Sequence, residues 1–561
     1  MNILIHISRF KILSFLKLSF ELKAKIIFRN LASAIIFGGF AVGAYYATRV
    51  GTDYLLDTAK LGSFLLHRFL SMMLFVYFVS INVGNIIVSY ATFYRSAEIQ
   101  YYLTKPVSHT ELFLIKFFDN FFYSSSAFFI IAFAVLLGYG SHFHMDWLFY
   151  LRTLFFMLIP FMLIAGCLAV ILILFLVRYA GRLGVKKLIA LLILLYIGFL
   201  TGYFSITSPL KLVARILQHY PNLDQYFGYL DHWVTKYLPN YWIAESLYWT
   251  MKGDYTLALS YTILLVITAS IVFGVMVLVG KKIFFTSWLA SLEYGTKRNM
   301  RINKPRFFSL EKKSKIDLQS SVLLKKELLQ FVREPSQWIH LGIITLLVLL
   351  FMASISQINL KQNMPFLQTV SYMVVLLFNS FLIVSIGLRF VYPSMSIEGP
   401  NFWSVLSAPV RRKKIFMLKY WIWLLPVLIL SELLVLFSHR SLMEYPVLVN
   451  SAAILTAAVA YFSVSLNIGM GSYIADYKEK NPIRVASSQN ATLIFLLCII
   501  YLTILVASTF FPLNGFFAYI LKGVPFEFNN LFISTGSFLL ISLMAGTLFL
   551  IIGIKTMRRD Y

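Results

Sequence analysis

The chain has 561 residues, of which 59% are hydrophobic and 13% charged, and a formal net charge of +26; its mean hydropathy is +0.79. A soluble fold of this length needs more charge to cover its surface. The long continuous apolar runs lack the short alternating segments of a transmembrane barrel. Excess Lys and Arg in such a chain belong to cytoplasmic loops, and nucleic acid is not an expected partner.

The fold class is therefore all-α integral membrane, since lipid leaves a spanning backbone no partner but itself. Residues 1–30 read as a cytoplasmic amphipathic interfacial helix. Lys11, Ser14, Lys17, Glu21, Lys25 and Arg29 form one polar stripe, opposite Ile12, Phe15, Leu16, Phe20, Leu22 and Ile26. A first six-span half covers 31–280, with spans near 31–48, 63–92, 117–139, 147–177, 188–206 and 256–280. A basic cytoplasmic linker follows over 281–338. A second six-span half covers 339–561, with spans near 339–356, 370–392, 421–438, 447–472, 491–511 and 531–554. This gives about twelve transmembrane helices. With both termini cytoplasmic, 38 of the 49 Lys and Arg residues fall on the inner side, as the positive-inside rule requires.

One signature occurs twice. Leu103-Thr104-Lys105-Pro106-Val107 leads to Phe113 and Lys116, and Leu406-Ser407-Ala408-Pro409-Val410 leads to Phe416 and Lys419, at an offset of 303 residues. Five of fifteen positions are identical, and Glu98 and Glu398 precede the two copies. An even number of spans per half makes the halves parallel repeats, related by an axis along the membrane normal. Pro106 and Pro409 suit a turn or a first helical turn. Lys116 and Lys419 read as anchors that reach out from the inner ends of the next spans.

The stretches Tyr94-Arg95-Ser96-Ala97-Glu98 to Ser108, Tyr392 to Gly399, Phe402-Trp403, Ser407 to Val410 and Ala475 to Pro482 resemble the membrane subunits of type-2 ABC exporters. The likeness is to the long bacterial permeases with two fused six-span halves. It implies a permease of the cytoplasmic (inner) membrane whose inner loops are coupling helices docked on a separate cytoplasmic ABC ATPase, two copies per chain. Glu98, Lys105, Pro106, Glu398, Phe402, Trp403 and Pro409 are the implied contacts. It also implies short outer helices between the fifth and sixth spans, where 207–255 is rich in Tyr and Trp. The chain carries no Gly-x-x-x-x-Gly-Lys-Ser/Thr loop, and Gly274 to Gly280-Lys281-Lys282 has the wrong spacing. No cofactor is expected on this chain; ATP and Mg²⁺ belong to the partner ATPase.

Glu432 is the ionisable residue deepest in an apolar run. A charge at mid-bilayer costs about 2.5–3.5 kcal/mol on insertion scales, so Glu432 reads either as a pathway residue, together with Asn467, or as a carboxylate at a helix end or bonded structurally to a neighbour such as Asn467. Asn82, Asn85 and Asn379 read as interhelical hydrogen-bonding groups. Arg411-Arg412-Lys413-Lys414 suits anionic membrane lipids or an acidic ATPase surface. His142 and His144 beside Asp146 do not share a helix face, and no metal site is expected. The alternatives are an ion- or proton-coupled secondary transporter, which needs paired charges at mid-membrane, and a membrane transferase, which needs a polar cluster at one interface.

Overall fold

The computed structural model describes most of residues 24–207, 233–300, 317–333, 365–399, 402–439, 445–477 and 482–557, with scattered positions in 6–13 and 337–352. Every regular element among them is helical. Among the described residues, ten helices are long and apolar enough to cross a membrane. Each contains or overlaps one of the expected spans. The expected first span lies inside α1 (Ala24–Asp53), which continues the chain from the basic flank without a break and is not among the ten. The expected span at 339–356 lies largely outside the described residues, as does most of the polar stripe of residues 1–30.

By internal contacts the chain divides into two compact units, Met1–Ile26 with Ala34–Ile302, and Ile27–Ser33 with Asn303–Tyr561. The first contains α2 (Ser63–Tyr94), the short α3 (Ala97–Leu103), α4 (His109–His142), α5 (Trp147–Arg152), α6 (Ile159–Leu183), α7 (Val185–Thr207), α8 (Pro239–Lys252) and α9 (Tyr255–Met300). Local chemistry sets several ends. Ser108 and Glu111 form a reciprocal capping box that starts α4. Gly253, at φ +83°, closes α8 in the left-handed conformation. α9 has 46 residues, about 69 Å at the usual rise, so the expected linker begins as a helical extension of its span. α8 is not the surface helix that its aromatic content suggests: Tyr241, Trp242 and Glu245 are buried, and it packs on α2 and α9.

The second unit contains α10 (Leu318–Arg333), α11 (Pro365–Ile386), α12 (Pro393–Ser396), α13 (Phe402–Leu406), α14 (Arg412–Ser438), α15 (Pro446–Tyr473), α16 (Pro482–Ala486), α17 (Gln489–Lys522) and α18 (Phe528–Met557). A π-turn at Gly387–Val391 joins α11 to α12. Small residues let α15 and α18 approach closely: a Cβ on Gly469 would lie 2.2 Å from the Phe549 carbonyl oxygen.

One contact recurs in both units. A Cβ on Gly280 of α9 would meet the Phe113 ring at 2.2 Å, and one on Gly553 of α18 would meet the Phe416 ring at 2.6 Å. Phe113 and Phe416 are identical positions of the duplicated signature. In each unit that ring rests on a glycine of the last long helix.

Candidate functional site

The duplicated lysines begin the site. Lys116 lies about two turns inside α4 and Lys419 about two turns inside α14; each side chain is 1% exposed. Neither reaches out as an anchor, because the carboxylate of the preceding short segment folds over each ammonium. Lys116 donates to Glu98 of α3 and lies 3.7 Å from Asp119. Lys11, near the N-terminus, pairs with Asp119 and lies 3.7 Å from Glu98. Burial pushes the Lys116 pKa down, and the pairing with Glu98 only partly offsets it.

The second cluster is more enclosed. Lys419 lies 2.7 Å from Glu398 and 2.7 Å from Glu327 of α10, and donates to the Ser394 carbonyl at 3.2 Å. Lys326, also of α10, pairs with Glu398. Two ammonium groups therefore face two carboxylates. An unpaired buried charge costs several kcal/mol, and this even count avoids it. Burial alone would raise the Glu398 pKa, but Lys419 and Lys326 outweigh it and hold the carboxyl down to about 2.

The segments of the second unit that carried the family resemblance converge here. The Asp476 amide donates to the Ser396 hydroxyl at 3.1 Å. Phe402 stacks on Tyr477, with ring centroids 5.3 Å apart. Gly399 takes φ +65°, a conformation that a side chain would strain. The α10 residue Gln330 donates to the Ile397 carbonyl at 3.0 Å. α10 thus clamps the segment between the π-turn and α14.

The residues implied as partner contacts separate into two groups. Lys105, Pro106 and Pro409 lie exposed in turns, Lys105 with its ammonium 5.1 Å from the Tyr101 ring centroid. Trp403 is 68% exposed. The Glu98 side chain is half-exposed although paired. Phe402 is buried, and the Glu398 side chain is 4% exposed. These two hold the segment from inside and present little surface to a partner.

Glu432 is half-buried on α14 and, among the described residues, makes no hydrogen bond or ion pair. Asn467 is fully buried and donates instead to the Ser463 carbonyl at 2.8 Å. The pair is not joined. Asn82 donates to the Ala165 carbonyl at 2.7 Å, and Asn379 to the Ser438 hydroxyl at 2.8 Å. Both make the cross-helix bonds expected of them. His142 pairs with Asp53, and Asp57 brings a third possible ligand atom within 4.8 Å; an ordinary histidine–aspartate pair accounts for this geometry.

A family model described as "Putative ATP-binding cassette" matches residues 24–560. The chain belongs to that family. No curated protein and no solved structure matches it. Within this ABC transporter family the chain is a helical, multi-pass membrane protein.

Besides the two lysine clusters, sequence reasoning missed a further buried charge pair of this ABC family member. Arg68 of α2 bonds Glu245 of α8 at 2.7 Å, with side chains 11% and 8% exposed. The guanidinium lies 4.5 Å from the Phe64 ring centroid and 4.8 Å from that of Tyr241. Trp249 donates to the same carboxylate at 2.9 Å. The available signal was an arginine inside an apolar run. It was obscured because Arg68 lies near a span end, where lysine and arginine are common.

Proposed function

We propose that this chain is the permease subunit of an ABC exporter of the bacterial cytoplasmic membrane. A separate ATPase, in two copies, binds Mg²⁺ and ATP and drives the movement of its substrate. The observation that carries the reading is the pair of buried lysine clusters. A loop that transmits force must be fixed to the helix it moves. Lys116 ties α3 to the root of α4, and Lys419 ties the segment around Glu398 to the root of α14. Exposed Lys105 and Pro106 offer one face to the ATPase in the first unit, and exposed Trp403 and Pro409 offer another in the second unit. Glu398 and Phe402 position the second face from within.

An exposed tryptophan at a partner surface is the residue type that most often dominates binding, at about 2 kcal/mol or more. Trp403→Ala is expected to weaken ATPase association at least tenfold while leaving the chain folded. Pull-down of the co-expressed ATPase by the tagged chain measures this, and subunit counting in the complex tests the two copies. Undiminished co-purification in a Trp403→Ala, Lys105→Glu double variant would sink the proposed faces.

One observation favours the ion-coupled alternative, namely that the Glu432 carboxylate has no hydrogen bond or ion pair among the described residues. If it relays protons, Glu432→Gln removes the pH dependence of transport in reconstituted vesicles. For the ATP-driven reading, transport by Glu432→Gln keeps its ATP requirement and its pH profile.

A further inference from the structure

The second unit contains a cavity of about 370 Å³ that the coupling reading does not use. Ligand pockets usually span roughly 300–1,000 Å³ and combine apolar walls with a few convergent polar groups. The walls come from α10, from residues 341, 344, 345 and 348, from the end of α11 and the following π-turn, and from α14; Phe331, Phe390, Trp423 and Leu430 give them their apolar character.

Its polar features are few and of one kind. Glu327, the carboxylate paired with Lys419, lines the cavity. Lys326 also lies 3.5 Å from Glu327, but a carboxylate has about four acceptor positions, more than two ammonium groups fill. Pro426 interrupts α14 and also lines it. Proline has no N–H, so the carbonyl of Ile422, one turn back in a residue that also lines the wall, loses the bond that position 426 would otherwise donate. Thr345 adds a hydroxyl. A carboxylate and a released carbonyl are both acceptors, and they sit in an otherwise apolar space.

We infer that this cavity binds a long-chain amphiphile whose head group donates hydrogen bonds, an ammonium or a hydroxyl, with its alkyl chain against Phe331, Phe390 and Trp423. An anionic head group of the same chain length is disfavoured, because it would bring a second negative charge to Glu327. Since Glu327 also holds Lys419, the occupant touches the cluster that fixes the Glu398 segment. The inference rests on the reading of the chain as a membrane protein and not on its ATPase.

Photolabelling tests it. The full-length chain, in phosphatidylcholine vesicles without partner, is irradiated with a long-chain primary alkylamine bearing a tail diazirine. The matching carboxylate is the control. The expected result is saturable labelling of 341–348 and 422–430, at least tenfold stronger with the amine, and abolished in Val427→Trp, whose larger side chain fills the cavity. Leu436→Trp, on an exposed face of the same helix, is expected to label as the native chain does. Equal labelling by both head groups in the native chain overturns the inference, as does labelling that does not saturate. Lipid extraction from the natively purified chain separates two sources of the same chemistry. A retained amine- or hydroxyl-headed lipid marks a resident lipid, and its absence beside saturable labelling marks a visiting cargo. Failure of the ATPase pull-down would leave this result standing.

Discussion

Replacing Lys419 with methionine is expected to cost about 3–5 kcal/mol of stability, because it leaves Glu327 and Glu398 to share Lys326 alone, with one buried negative charge in excess. Their side chains are 11% and 4% exposed, so water cannot take over. Thermal unfolding of the purified chain in detergent measures the loss. The triple variant Lys419→Met, Glu327→Gln, Glu398→Gln is expected to recover much of it, since neutral groups carry no comparable desolvation penalty. Lys116→Met is expected to cost far less, on the order of 1 kcal/mol, because its partner Glu98 is 53% exposed and rehydrates. Equal losses at the two lysines would contradict the difference in burial. The same cluster predicts an acid limb. The carboxyl of Glu398 is held at about 2, below its ordinary 4.5, so its stabilising contribution is complete above pH 4.5. That contribution disappears as the pH falls towards 2. Glu398→Gln should flatten that limb while lowering stability at neutral pH.

Gly469→Ala is the second large effect. The new Cβ would lie 2.2 Å from the Phe549 carbonyl oxygen and 2.7 Å from its carbonyl carbon. These are backbone atoms of α18, and no rotamer change relieves the overlap. The two helices must move apart, at a cost of about 1–3 kcal/mol for overpacking and more if their contact is lost. Gly553→Ala is expected to cost less but not to be neutral, since the Phe416 ring it meets at 2.6 Å can rotate while the Gly469 Cα at 2.9 Å cannot. Gly198→Ala, with nothing within 4 Å, should be neutral or slightly stabilising through helix propensity. Melting temperatures of the three variants rank the contacts; a Gly469→Ala protein as stable as Gly198→Ala would refute the close crossing.

The legible part of the site was its repetition. Pro106 and Pro409 lie in turns, and Phe113 and Phe416 take equivalent places, as two copies of one local pattern should. The glycines under those rings, Gly280 and Gly553, do not share the offset of 303, so no one-dimensional comparison pairs them. Lys116 and Lys419 were misread as anchors for a related reason. A lysine at a span end looks the same whether its ammonium meets water or a carboxylate 18 residues back. Glu245 was overlooked because tryptophan and tyrosine around it suggested an interface, while the fold turns that face of α8 inwards.

The sequence by itself determined that the chain is helical, that it lies in a membrane and where ten of the expected spans run. Those properties follow from apolar length and from the backbone's need to bond within its own segment, and both are local. Tertiary structure alone decided which charges are buried and which are exposed. Glu398 and Trp403 stand five residues apart in the same signature, one enclosed between Lys326 and Lys419 and the other facing outwards. Burial depends on what other helices bring to that point, and α10 comes from more than seventy residues earlier in the chain.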